Sequence, residues 1–260
     1  MIRILFAGDI VGSLGREYAA RTVYRLKGQE KIDIVIVNGE NSADGNGITK
    51  EAMDGLFTFA DVITTGNHCF RRREIMPFYS SQETLLRPVN YPEGVEGHGV
   101  CILDKGSYSV AVVNLMGTSF MEPLGNPFEA MEELLPALHT PNILVDLHAE
   151  ATSEKKSMGF FLDGRVSAVI GTHTHVQTAD ETILPGGTAY ITDAGMCGSE
   201  LSVLGIKPEL AIKKQRYRIP VKFAEADSPP FFCGVLIALD EKSGRAKEIR
   251  RLQLRDNDPA

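Results

Sequence analysis

The residues best suited to chemistry stand just after apolar runs. Asp9 follows ILFAG, Glu40-Asn41 follow IDIVIVNG, Asn67-His68 follow VITTG, His148 follows NILVDL, and His173 and His175 follow VSAVIGT. Oxygen and nitrogen donors delivered by five separate runs suit a pair of metal ions, which a shared carboxylate holds roughly 3.5–4 Å apart. Glu40, lying between the other candidates in chain order, is the expected bridge and Asp9 a terminal ligand. The alternatives are a helix cap for Asp9 and a solvated turn for Glu40.

Gly171-Thr172-His173-Thr174-His175 is the strongest local signal. On an extended segment, histidines at i and i+2 face the same way with Cα atoms roughly 7 Å apart, a span that suits imidazoles serving two neighbouring ions. In Gly66-Asn67-His68, Asn67 presents a neutral carbonyl oxygen to a metal. The next residue points elsewhere, which leaves His68 as an acid or charge stabiliser for a leaving oxygen. His148 would add a nitrogen ligand, with a satisfied buried histidine as the alternative. His98 and His139 lack this setting and are read as structural.

Other side chains near these runs have weaker signals. Arg71, Arg72 and Arg73 are candidates for a substrate phosphate or for base selection, or else form a solvated helix start. Cys69 is read as a small turn residue, because a nucleophilic thiol needs a neighbour that lowers its pKa and His68 is otherwise engaged. Phe70, Met116, Met121 and Met196 are candidates for a base pocket, against ordinary apolar packing. Asp193 and Gly195 are candidates for shaping the site from the TDAGM stretch.

Something must bring these groups together. Near-continuous Ile, Val, Leu and Phe runs predict strands at 2–8, 32–38, 61–66, 143–147 and 166–171, buried on both faces. Helical segments are expected at 15–27, 49–59, 71–79, 127–138 and 153–162, with Asn126-Pro127 as a cap followed by proline at the first helical position. Hairpins are expected at 99–115, across ETILPGGTAYIT, and from FFCGVLIALD to AKEIRRLQL. Hairpins beside βα units predict an α/β fold of two packed mixed sheets flanked by helices. One domain is expected over 1–254, with a frayed tail at 255–260.

Composition narrows the function classes. The chain has 260 residues, 43% apolar and 23% charged, which is ordinary for a globular protein. A net charge of −7 argues against broad binding to nucleic acid or an anionic membrane. A small anionic substrate stays compatible, because bound cations would reverse the local sign. No apolar run approaches the ~20 residues of a membrane span. The start enters a strand without a leader pattern, and four scattered cysteines show no CxxC spacing, so a cytoplasmic location with reduced thiols is expected.

Taken in order, GD (8–9), NGEN (38–41), GNH (66–68), His148 and GTHTH (171–175) resemble the calcineurin-like metallophosphoesterase superfamily, whose pattern is DxH, GDxxD, GNH[D/E], H and GHxH. Val11 stands where DxH has its histidine, and Glu40 where the bridging aspartate belongs. Both departures look like the bacterial YmdB-like subfamily, in which glutamate bridges and the adjacent asparagine replaces the missing histidine. The opening MIRILFAGDIVG and the later TDAGMCG are also similar to that subfamily, and the likeness runs to about residue 254.

The resemblance implies Asp9, Glu40, Asn41 and His175 on one metal, with Glu40, Asn67, His148 and His173 on the other and His68 catalytic. It further implies iron- or manganese-dependent hydrolysis of 2′,3′-cyclic nucleotides or related small phosphodiesters, in a homo-oligomer, with zinc also compatible with these ligands. A metal-bound hydroxide would attack phosphorus while His68 assists the leaving oxygen. Two divalent ions outweigh Asp9, Glu40 and a bridging hydroxide by one positive charge, which suits a phosphodiester. A phosphomonoesterase or 5′-nucleotidase, and a nucleotide-binding regulator with slow turnover, are the competing readings.

Overall fold

Two β-sheets pack face to face with helices on both outer surfaces in the computed structural model, which describes residues 1–256. The first sheet contains β1 (Ile2–Ala7), β2 (Asp9–Ile10), β3 (Ile34–Asn38) and β4 (Val62–Thr64), with β11 (Met196–Ser199), β12 (Pro230–Leu239) and β13 (Ala246–Arg255). The second runs in the order β5 (Val100–Asp104), β6 (Ser109–Met116), β7 (Ile143–His148), β8 (Ala168–Thr172), β10 (Ala189–Ile191) and β9 (Thr182–Ile183). Strands β1, β3 and β4 are mutually parallel, as are β6, β7, β8 and β10. Each sheet therefore gathers several strand C-termini along one rim, where α/β sheets bind ligands.

The period-2 alternation of strand side chains makes three apolar layers from these runs. Ile2, Ile4 and Phe6 face the second sheet and meet Val110, Val112, Leu144 and Ile170. Leu5, Ala7, Val35 and Val37 face the other way, onto α1 (Gly12–Glu30) and α2 (Lys50–Phe57) through Tyr18, Val23, Met53 and Leu56. Val113, Leu115, Val145 and Leu147 pack under α4 (Pro127–Leu134) and α5 (Thr152–Phe161) through Met131 and Met158. Both faces of each central strand are covered, which is why those runs are uniformly apolar.

Two of the helices, α2 and α4, start at a side-chain cap. Thr49 accepts a hydrogen bond from the Ala52 amide, and Asn126 accepts one from the Phe128 amide ahead of Pro127. The segment expected as a helix at 71–79 is a 3₁₀ turn at Arg73–Ile75 followed by α3 (Met76–Ser81). Two features had no counterpart in the apolar pattern. The short parallel pair β2–β11 lies beside the site, and α6 (Pro208–Tyr217) buries only Ala211, leaving little periodicity to read. The tail expected from 255 begins with Arg255, which ends β13 opposite Phe231, and 257–260 lie outside the described residues. No helix among the described residues is long and apolar enough to cross a membrane.

Candidate metal centre

Every sequence-predicted ligand sits at, or within three residues of, the C-terminal end of a parallel strand. Asp9 follows β1, Glu40 and Asn41 follow β3, Asn67 and His68 follow β4, His148 ends β7, and His173 and His175 follow β8. Chain direction alone thus sends all eight side chains to the shared rim of the two sheets. They form one connected network, with Asp9, Glu40, Asn41 and His148 buried and His173 and His68 partly exposed.

One group of donor atoms converges around Glu40. Its Oε1 is 3.0 Å from His148 Nε2, which is itself 3.0 Å from Asn67 Oδ1 and 3.1 Å from His173 Nδ1. Glu40, His148 and His173 place a ligand atom each within 4.8 Å of one another. The second group is Asp9 Oδ1, with His175 Nε2 at 3.6 Å and Asn41 Nδ2 at 3.3 Å; that amide nitrogen also lies 3.4 Å from Glu40 Oε1 and 3.2 Å from His175 Nε2. Glu40 belongs to both groups. Two carboxylates, two amides and three imidazoles drawn this close form a nitrogen and oxygen donor set of the kind that holds first-row metal ions.

Asn41 presents its amide nitrogen to this group and its oxygen to His68 Nδ1, 2.8 Å away. Ligation through Asn41 requires the half-turn that exchanges amide nitrogen and oxygen. Nδ2–H would then donate to an unprotonated His68 Nδ1, fixing the tautomer that keeps its proton on Nε2. The His68 backbone N–H donates to Glu40 Oε2 at 2.9 Å, so the GNH turn is fastened to the carboxylate at the centre of the site.

Burial and mutual charge shift the protonation of these donors, and His148, raised to about 9, must lose a proton to become a ligand. Burial would raise the Glu40 carboxyl, but the His148 imidazole holds it below the usual carboxylate range, and the same pairing lifts His148 against its own burial. Burial and then His148 push His173 down to about 3, leaving a neutral imidazole. Burial raises Asp9 and lowers His68.

A further layer beneath the candidate ligands escaped the sequence reading. Asp146 is fully buried and accepts from Thr172 Oγ1 at 2.7 Å, Thr64 Oγ1 at 2.5 Å and Asn38 Nδ2 at 3.1 Å. Thr172 Oγ1 in turn meets His148 Nδ1 at 2.9 Å, so the ring nitrogen turned away from Glu40 is oriented by the chain. Burial raises Asp146 to about 6. The available signal was polarity out of place, since Asn38, Thr64 and Asp146 interrupt runs that are otherwise core.

The two histidines of GTHTH are not on extended chain, contrary to expectation. His173 has φ 97° and His175 φ 64°, in the left-handed region that costs a non-glycine residue about 1–2 kcal/mol. Their aim comes from a turn that Asp193 holds. Its Oδ2 accepts from Thr174 N at 3.0 Å and Thr174 Oγ1 at 2.7 Å, and from the buried Lys155 ammonium at 2.7 Å. The His173 N–H donates to Asp9 Oδ2 at 3.2 Å. Asp193 therefore shapes the site, as its place in TDAGM hinted.

Close approach explains the glycine of GNH: a Cβ on Gly66 would lie 2.1 Å from His148 Cδ2. Asp9 does not cap α1, whose N-cap position is Val11 with no side-chain cap bond. Cys69 is buried, its thiol pushed up to about 12 by burial, and it donates to the Tyr91 hydroxyl, which suits a packing role. Phe70 packs edge-on against Tyr79 and Tyr91, while Met116 and Met196 are buried; of the four base-pocket candidates only Met121 lines a cleft at the site. Arg72 ties down the 43–46 loop through Asp44 and the carbonyls of Ala43 and Asn46. Arg71 and Arg72 both line a cleft of about 1020 Å³ beside the site, and Arg71 also lines a second of about 480 Å³.

Comparison with known proteins gives the chain's relatives and the fold it shares with them. A family model described as YmdB-like protein matches residues 5–252. A Bacillus subtilis (strain 168) protein named 2′,3′-cyclic-nucleotide 2′-phosphodiesterase is 45% identical over 259 residues, spanning 98% of each chain. A crystal structure of a hypothetical protein from Thermus thermophilus superposes with TM-score 0.93 at 36% identity, covering 98% of this chain and 99% of that one. A crystal structure described as a novel phosphatase of Mycoplasma pneumoniae gives TM-score 0.93 at 32% identity, covering 99% of this chain and 95% of that one.

Proposed function

The chain belongs to the YmdB-like protein family and is a hydrolase of phosphoesters, and from that premise we propose that it is a di-metal phosphodiesterase acting on 2′,3′-cyclic nucleotides or related small phosphodiesters. The observation that supports the reading is the convergence of donors on Glu40 Oε1, with His148 at 3.0 Å and the amide of Asn41 at 3.4 Å on its two sides. Asp9, Glu40, Asn41 and His175 would hold one ion, and Glu40, Asn67, His148 and His173 the other. Bound there, iron, manganese or zinc would supply Lewis acidity and an ionised water near neutral pH.

The protein's own groups then have defined tasks. Asp146 and Thr172 hold the His148 ring, and Asp193 holds the turn that aims His173 and His175. His68 lies beside both donor groups and lines the 1020 Å³ cleft. With Nδ1 engaged by Asn41, its Nε2–H is the proton available to the departing ribose oxygen. The low net charge of a diester matches a centre in which Asp9 and Glu40 are the anionic ligands.

Metal analysis of protein purified without added metal, paired with turnover of 2′,3′-cyclic AMP, tests the proposal. About two ions per chain are expected, with activity lost on chelation and restored by manganese or iron. One ion or none after metal loading, or phosphate release from nucleoside monophosphates without opening of the cyclic diester, would overturn it. A cytoplasmic homo-oligomer is part of the same proposal. Apolar side chains exposed at 201–223, such as Leu201, Ile212 and Phe223, support assembly, and light scattering tests it.

A further inference from the structure

Phe120 is the most exposed large apolar residue of the chain among those described, at 92%, and it has φ 64°. A phenyl ring left in water on a strained backbone is costly twice over, and such outliers cluster at ligand clamps. The strain is not the slack of a loose loop. Thr118 N and Ser119 N donate to the two carboxylate oxygens of Glu154, a buried residue of α5, at 2.9 and 3.3 Å. Gly117 N donates to the carbonyl of His148 at 2.9 Å, and Asn90 grips the two ends of the segment through the carbonyls of Met116 and Gly125. The loop is thus registered directly on a residue of the candidate metal centre.

The ring borders a cleft of about 480 Å³ with Met121, Pro123 and Arg71, and Asn67 and His173 of the candidate centre line the same cleft. Glu122 and Arg71 bring one charge of each sign to it, so the cleft has no net attraction for a phosphate apart from the centre itself. Phe120, Met121 and Pro123 give it an apolar side, and its volume suits a small planar group. Resting on the phosphodiesterase reading above, we infer that this cleft takes the nucleobase of the substrate, stacked on Phe120. A ring carried on a loop anchored beside the centre can stack a base and bring the ribose phosphate into register. Stacking is tolerant of base identity, because every base has a π-face.

The test compares Phe120→Ala, Phe120→Leu and Phe120→Trp with the parent on 2′,3′-cyclic AMP and on glycerol 1,2-cyclic phosphate, which has the cyclic diester and no base. Phe120→Ala is expected to lower kcat/KM for the nucleotide about 5- to 150-fold, mainly through KM, and to leave the glycerol diester within about twofold. Phe120→Trp restores the nucleotide reaction and Phe120→Leu does not. Calorimetric binding of adenosine 3′-monophosphate and glycerol 2-phosphate gives an independent readout, with only the adenosine compound weakened by Phe120→Ala. Equal loss on both substrates, no loss on either, or a change of oligomeric mass accompanying the loss overturns the stacking role. If the parent opens neither cyclic diester, the phosphodiesterase reading has failed, and the binding comparison alone decides whether Phe120 stacks a base.

Discussion

Replacing Lys155 by methionine separates the support beneath the GTHTH turn from the ligands themselves. The Lys155 ammonium and the Asp193 carboxylate are 1% and 0% exposed and 2.7 Å apart. Truncating one partner of such a pair leaves the other charged in a site without water, at about 3–5 kcal/mol. Thr174 and Gly195 still donate to the Asp193 oxygens, which favours the lower end of that range. For a chain of this size about 3–5 kcal/mol corresponds to a Tm lower by roughly 6–20 °C. Denaturant unfolding would give the free energy and calorimetry the Tm. Because Thr174 lies between His173 and His175, metal content after gel filtration should also fall. Adding Asp193→Asn to Lys155→Met should recover part of the stability by removing the stranded charge, though not the metal, since an amide cannot accept all the bonds the carboxylate accepts. A single variant within about 1 kcal/mol of the parent, or a double variant as destabilised as the two singles summed, would refute the reasoning.

Gly66→Ala drives a Cβ to 2.1 Å from the His148 ring, so turnover and metal content should fall together while far-UV circular dichroism stays near that of the parent; unchanged metal content would show that the ring can move aside. His68→Ala should lower kcat about 10²- to 10⁴-fold with the metal retained, and loss of metal in that variant would reassign His68 from acid to support. Burial would raise the Asp180 carboxyl, but hydrogen bonds from Thr192 and Thr178 and from Lys156 hold it at about 2. That stabilisation is complete above the ordinary carboxylate pKa near 4 and is lost as pH falls toward 2. Asp180→Asn should therefore be less stable than the parent at pH 7, with the gap closing between about pH 4 and 2; a gap that persists at pH 2 would rule out ionisation as its source.

Much of the site is legible in the order of residues, and the reason is directional. A parallel strand buried on both faces must be apolar, so a polar residue just past its end marks the rim where active groups collect. Asp9, Glu40, Asn67, His148 and His173 all had that signature. Asn41 shared it, beside Glu40 after the same run, although its role as a ligand came only through the family resemblance. The hairpins and the layered arrangement followed from the same alternation, whereas β2–β11 and α6 were invisible, the first too short and the second too exposed to impose a pattern.

The residue types and their order determined by themselves which groups stand at strand ends and hence what kind of chemistry they suit. Tertiary structure alone decided how those groups are aimed. The left-handed turn of His173 and His175 depends on Asp193, the His148 ring on Asp146 through Thr172, and the exposed ring of Phe120 on Glu154. The hydrogen bonds concerned join residues 19 to 36 positions apart, on different elements. Local propensity acts over a few residues of chain, while a hydrogen bond between buried groups is set only when the sheets and helices that hold them have packed.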